Sequence, residues 1–213
     1  MDAPNPLAHV REFALPHGSL DAVLETLDAM RDDPGSHVVL IHFGGDAPSV
    51  TDASLLRLER FLLPTVFAFD GLLRGDALAV ALACDIRVCD ERAAIDTSGL
   101  EGDYPAERIE LLAGPGAPET YTAPEALQHG LVSRLAPAGE AASLGRDVAA
   151  AIASRGPIAT QLAKEAIWRG LRMPLEQALR FETDLTLLLQ TTKDRAEGVR
   201  AFLEKRPPIF TGE

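Results

Sequence analysis

The chain predicts an α/β fold, one domain built on a parallel sheet, and three observations carry that expectation. The continuous apolar run of strand length at 38–43 has the pattern of a strand covered on both faces, and further strands are read at 65–69 and 86–89. A helical stretch at 20–30 precedes them, and helical stretches at 52–63 and 75–84 separate them. The connections are short, so successive strands join through right-handed crossovers and lie parallel. With 213 residues, 46% hydrophobic and 24% charged, the composition is that of a globular protein able to bury a sizeable core.

The elements follow in order. Residues 1–18 hold prolines at 4, 6 and 16 and a short strand over 10–15. Leu20, Val23, Leu24, Leu27 and Met30 recur at helical spacing, with Ser19 as N-cap and Asp-Asp-Pro-Gly at 32–35 as the stop. The strand VVLIHF (38–43) is broken by Gly44-Gly45-Asp46-Ala47-Pro48, and Pro64 ends the helix over 52–63. The chain centres on 67–90, FAFDGLLRGDALAVALACDIRVCD, which reads as strand, glycine-bearing turn, apolar helix and strand. At Arg74-Gly75-Asp76-Ala77 the helix begins, its first N–H groups have no intrahelical partner, and this is where ligand chemistry is expected. Over 93–121 the pattern gives way to an acidic, Gly- and Pro-rich stretch with one helix around 106–113. Thr122-Ala123-Pro124-Glu125 is a capping box opening a helix to Gly130, followed by a strand over 131–135. Helical faces then recur at 144–152, from Gly156-Pro157 through Trp168, from Pro174 through Leu188, and from Thr192 to Pro207. The chain divides into a core at 1–135 and a helical region at 136–213. The helices of that second region are too apolar for a free surface and predict packing against the sheet or other subunits.

A net charge of −12 excludes nucleic acid or an anionic membrane as the main partner, because both need a basic footprint. Basic residues do gather at 193–206, where Lys193, Arg195, Arg200, Lys205 and Arg206 outnumber Asp194, Glu197 and Glu204. Pairing at i,i+3 and i,i+4 accounts for them on a solvated helix; an anionic small ligand is the other use. Cys84 and Cys89 stand in apolar surroundings without CxxC spacing, which predicts buried thiols in a reducing compartment. The five histidines show no ligand spacing, so no metal site is expected, and His42 reads as a strand-end residue. No basic leader or membrane-length apolar run is visible, and the expected location is the cytoplasm.

The run LPTVFAFDGLLRGDALAVALACDIRVC (63–89) resembles the heart of the crotonase (enoyl-CoA hydratase/isomerase) superfamily, a strand followed by G-x-x-x-G-G-G-x-x-x-A-L-A-C-D. The stretches YTAPEALQHGLVSRLAP, GPIATQLAKEAIW and TTKDRAEGVRAFLEKRPPIFTG are similar to the superfamily's C-terminal half. The resemblance is densest over 122–212 and thinnest over 1–35 and 93–121, so the chain reads as a shortened, divergent member. It implies a spiral of ββα units and C-terminal helices that assemble a homotrimer or a dimer of trimers. It also implies an acyl-CoA or carrier-bound acyl thioester as ligand, with coenzyme A part of the substrate and no separate cofactor. Two backbone N–H groups would grip the thioester oxygen and stabilise an enolate. Matched residue by residue, one donor is Asp76, and the other is Thr51 in Pro48-Ser49-Val50-Thr51-Asp52.

The departures are as telling as the matches. Hydratases carry a glutamate at the position of Ala79, and a methyl group cannot move a proton. Their second glutamate segment survives only as the shortened stretch 95–105, without glutamate at the matching place. Within it, Gly99-Leu100-Glu101-Gly102-Asp103 resembles the G-L-x-x-D of the dienoyl-CoA isomerase branch, which makes Asp103 the candidate acid/base and Glu101 the reserve; a solvated acidic loop is the alternative. Asp76 has two possible uses, a base beside the thioester or a cap on its own helix, where its charge would repel an oxyanion. Lys205 matches the lysine that reaches the nucleotide end of coenzyme A from a neighbouring subunit, with Phe202 beside it. Thr186 stands where hydratases place an adenine-stacking phenylalanine. The expected function is hydratase/isomerase chemistry, with isomerisation or a specialised biosynthetic step suiting one carboxylate better than hydration. The alternative is a catalytically lapsed member kept as a binding or assembly partner.

Overall fold

The computed structural model describes residues 5–33 and 35–213. Prolines 4 and 34 lie outside the described residues. Five parallel strands form the main sheet in the order β1 (Val10–Ala14), β2 (Val38–His42), β3 (Thr65–Phe69), β5 (Ile86–Asp90) and β8 (Arg134–Ala136). Alternation along β2 divides the core. Val39 and Ile41 join the apolar cluster formed with α1 (Leu20–Arg31), α2 (Asp52–Glu59) and α3 (Gly75–Ala83). Val38 and Leu40 face the other way, onto Val148, Ala149 and Ala153 of α6 (Ala141–Ala153). Gly145 lets that helix approach, since a Cβ there would meet Leu40 Cδ1 at 3.0 Å and Ala68 Cβ at 3.1 Å. Because β8 spans 134–136 and α6 packs on the sheet, a division at 135/136 cuts the core; the helices that stand apart begin at Pro157.

Two local expectations change. The helix over 52–63 ends at Glu59, and the chain then turns to bury Phe61 and Leu63. Three short strands, β4 (Leu72–Arg74), β6 (Ala94–Asp96) and β7 (Thr120–Thr122), form a second sheet with β6 in the middle. Three residues are too few to show a period in sequence. This small sheet supports α4 (Asp103–Ala113) and the capping-box helix α5 (Ala123–Gln128), whose Thr122 and Glu125 bond reciprocally. The chain ends in α7 (Pro157–Gly170), α8 (Leu175–Leu189) and α9 (Lys193–Glu204).

Arg87, 5% exposed on β5, is bonded from all sides. Nε donates to Leu131 O at 2.7 Å, Nη1 to Cys84 O at 2.7 Å and Ala81 O at 3.4 Å, and Nη2 to Gly130 O at 3.5 Å. One guanidinium thus closes the carbonyl end of α3 and the turn after α5. Lys164 of α7 reaches Asp85 at 2.7 Å and fastens the C-terminal helices to the sheet. Cys84 and Cys89 are buried free thiols, each pushed up to about 12 mainly by that burial.

His37 lies buried ahead of β2, its ring stacked on His9 at 4.2 Å and 5°. Burial first, and the neighbouring His9 charge second, hold its pKa below 6.5; Arg11 acts in the same direction, and Asp194 and the Ala153 carbonyl oppose. A depressed histidine pKa means that the unfolded chain binds the proton more readily. Stability should therefore be full above pH 6.5 and fall as pH drops through the folded-state pKa. Urea unfolding between pH 5 and 8 in wild type and His37→Phe measures this, and the variant should lose most of the slope.

Candidate functional site

A cleft of about 630 Å³ opens beyond the carboxyl ends of β2 and β3, the usual place for ligands on a parallel α/β sheet. Phe43, Gly44, Gly45 and Ala47 form one wall, and Asp70, Leu72, Arg74, Asp76 and Ala77 the other. The second wall is the start of α3. Gly75 adopts φ +54°, a conformation glycine takes at little cost, and turns strand β4 directly into the helix. Arg74 precedes the helix with extended backbone, and no side chain caps it. The N–H groups of the first turn are therefore without intrahelical partners beside an open cleft, where they can hold an oxyanion.

The sequence candidates fare differently. Asp76 lines the cleft, exposed, and its carboxylate does not cap the helix, so self-capping is not its use. Thr51 is occupied otherwise: its N–H donates to Ser54 Oγ at 2.9 Å while its Oγ1 accepts Ser54 N–H at 3.1 Å, a capping box for α2. That N–H is already spent, so Thr51 does not supply the second donor. The backbone across the cleft from Asp76 belongs instead to Gly44, Gly45 and Ala47, and Gly45 takes φ +109° there. Ala79 is buried within α3.

Glu101 and Asp103 are exposed and line no wall of this cleft. The start of α4 at Asp103 is held by a different carboxylate: Asp52 accepts Asp103 N–H at 3.0 Å and Tyr104 N–H at 3.3 Å. A Cβ at Gly102 would lie 2.5 Å from Asp52 Oδ1, so the glycine permits this contact. Asp70, which the sequence reading passed over, lines the cleft; its signal is its position directly after a fully buried strand. Among the described residues no three His, Cys, Asp or Glu side chains form a metal-binding group, and no helix is long and apolar enough to cross a membrane.

The basic C-terminal segment is mostly paired internally. Arg206 bonds Glu197 at 2.6 Å and Glu204 at 2.6 Å, which holds the Glu197 carboxyl down at about 2, and Lys193 pairs with Glu213. Lys205 forms no ion pair among the described residues and sits in the left-handed conformation at φ 52° as the C-cap of α9; Phe202 is 82% exposed. Neither lines the Asp76 cleft of its own protomer. Lys205→Gly should raise stability by about 1 kcal/mol by relieving the left-handed backbone, read as a higher urea midpoint.

With the cleft described, the relatives can be compared. Residues 42–213 match the enoyl-CoA hydratase/isomerase family. The chain belongs to that family. It is 35% identical over 165 residues to the (E)-benzylidenesuccinyl-CoA hydratase of Thauera aromatica, covering 70% of this chain and 63% of that protein. It is 33% identical over 168 residues to the 2,3-dehydroadipyl-CoA hydratase of Escherichia coli, covering 73% and 66%. The match thus spans just under two thirds of either relative. The enoyl-CoA hydratase of Bacillus anthracis superposes with a TM-score of 0.85 at 26% identity over 96% of each chain, and the crotonase fold is established by it. The start of α3, Gly75-Asp76-Ala77, lies within the matched residues 42–213.

Proposed function

We propose that this protein acts on an acyl-CoA or a carrier-bound acyl thioester, with the Asp76 N–H and one N–H of the Gly44–Ala47 wall stabilising an enolate. The observation that carries this reading is the uncapped start of α3 opening into the cleft. Proton transfer falls to the cleft carboxylate of Asp76, which has the position that Glu101 and Asp103 lack. Asp76 and Asp70 both line the cleft, and with Ala79 buried where the hydratases' glutamate would stand, isomerisation or a specialised biosynthetic step suits the site better than the usual hydration. Coenzyme A enters as part of the substrate, without a separate cofactor, and the location is cytoplasmic.

Assembly supports the same reading. Fifteen-residue α8 has no buried residue, and Leu171, Leu175, Leu179 and Leu187 are all more than half exposed, so the α7–α8 face is built for other copies in a homotrimer or dimer of trimers. Lys205 and Phe202 then reach the nucleotide end of a neighbouring protomer's thioester. Equilibrium sedimentation at a mass of one chain would refute the assembly.

Calorimetry with crotonyl-CoA and acetoacetyl-CoA, followed by turnover of the enoyl thioester, tests the function. Binding with turnover supports it, and turnover should survive the double change of Glu101 and Asp103 to Ala. Binding without turnover supports the second reading, a lapsed member serving as a binding or assembly partner, which buried Ala79 at the usual glutamate position favours. No binding overturns both ligand-based readings.

A further inference from the structure

Away from the cleft, Trp168 of α7 lines a separate cavity of about 330 Å³ with Glu59, Arg60, Lys164, Glu165 and Arg169. Three guanidinium groups surround its indole, Arg172 at 5.1 Å, Arg60 at 5.3 Å and Arg169 at 5.9 Å from the ring centroid. Cation–π attraction to one ring does not offset the mutual repulsion of three like charges, so carboxylates must balance them. Glu59, almost wholly buried, bonds Arg172 at 2.9 Å and also faces Arg108 at 3.6 Å. Glu165 takes Arg169 at 3.1 Å, and Asp85 takes Lys164 at 2.7 Å. Five cations therefore meet three carboxylates, and Arg60 forms no ion pair among the described residues. The indole N–H is itself buried and has no partner among the described residues. A local positive excess in a chain of net charge −12 marks a specific place rather than a general basic surface.

We propose that this cavity is an anion site for a small phosphoryl-bearing molecule, seated on Arg60, Lys164 and Arg169 beside Trp168. A phosphoryl group supplies close to two negative charges on one compact centre, which balances the excess, and its oxygens suit the guanidinium fork. The site shares no lining residue with the Asp76 cleft, so it stands or falls independently of the thioester reading. The same chemistry could come from free phosphate or pyrophosphate, or from the phosphate end of a nucleotide.

Trp168 is the single tryptophan, so its fluorescence reports directly on the cavity. Inorganic pyrophosphate and adenosine 5′-diphosphate are each titrated into the full chain at constant ionic strength, with chloride as control. The expected result is a saturable change with pyrophosphate that chloride does not reproduce, weakened at least about tenfold in Arg60→Gln and in Arg169→Gln. An at least tenfold preference for the nucleotide would assign the source to a nucleotide, and equal affinity to the inorganic anion. A pyrophosphate curve that overlays chloride, or one unchanged in both variants, overturns the proposal. Calorimetry of the same variants keeps the test valid if a substitution alters the baseline fluorescence.

Discussion

Replacing Arg87 with alanine should lower stability by about 3–5 kcal/mol, the combined cost of unpaired buried carbonyls and of the cavity left by a large side chain. The loss has two parts. The Leu131 and Cys84 carbonyls lose their buried donor, the Ala81 carbonyl keeps the Cys84 N–H, the Gly130 carbonyl sits at an exposed turn, and a cavity opens between α3 and the turn after α5. Arg87→Met separates the parts, because it refills most of the space but restores no donor. It should recover less than half the loss, and Arg87→Lys, a point charge without the fork, should remain well short of wild type. Urea unfolding monitored by circular dichroism measures all three. A loss below about 1 kcal/mol in Arg87→Ala would show that the carbonyls find other partners.

The second large effect concerns Asp76, where affinity and turnover should move in opposite directions. The exposed carboxylate stands at the helix start whose N–H groups would hold an enolate. A like charge a few ångströms from a forming oxyanion costs about 1–2 kcal/mol in such a setting, or about tenfold in binding. Asp76→Gly should therefore bind acetoacetyl-CoA, an enolate-like ligand, about tenfold more tightly. If the same carboxylate moves the proton, turnover of the enoyl thioester should fall by about a hundredfold or more. Asp76→Asn should follow the same pattern and rules out a mere effect of glycine on the helix. Unchanged turnover would remove Asp76 from the proton path, and weaker binding would show that the carboxylate helps hold the ligand.

The strands at 38–42, 65–69 and 86–90, the capping box at Thr122–Glu125 and the four C-terminal helices were legible because each rests on neighbours within a few positions. The Thr51 assignment followed from a family position, but the bond from its N–H to Ser54 Oγ is a property of the folded turn. Asp103 has the right residue type and spacing, yet its helix start is held by Asp52, 51 positions away. Pairing at that distance leaves no periodic trace.

By itself, the sequence determined the parallel α/β core, the buried thiols, the family and the glycine turn that starts the helix beside the cleft. Those follow from the apolar period, the capping residues and the glycine turn, all of them local physics. The tertiary structure alone decided which N–H groups are free, which carboxylates face the cleft, that Gly44 and Gly45 form its other wall, and that three arginines converge on Trp168. Burial, hydrogen-bond partners and charge balance depend on groups far apart in the chain, and only folding brings those groups within reach of one another.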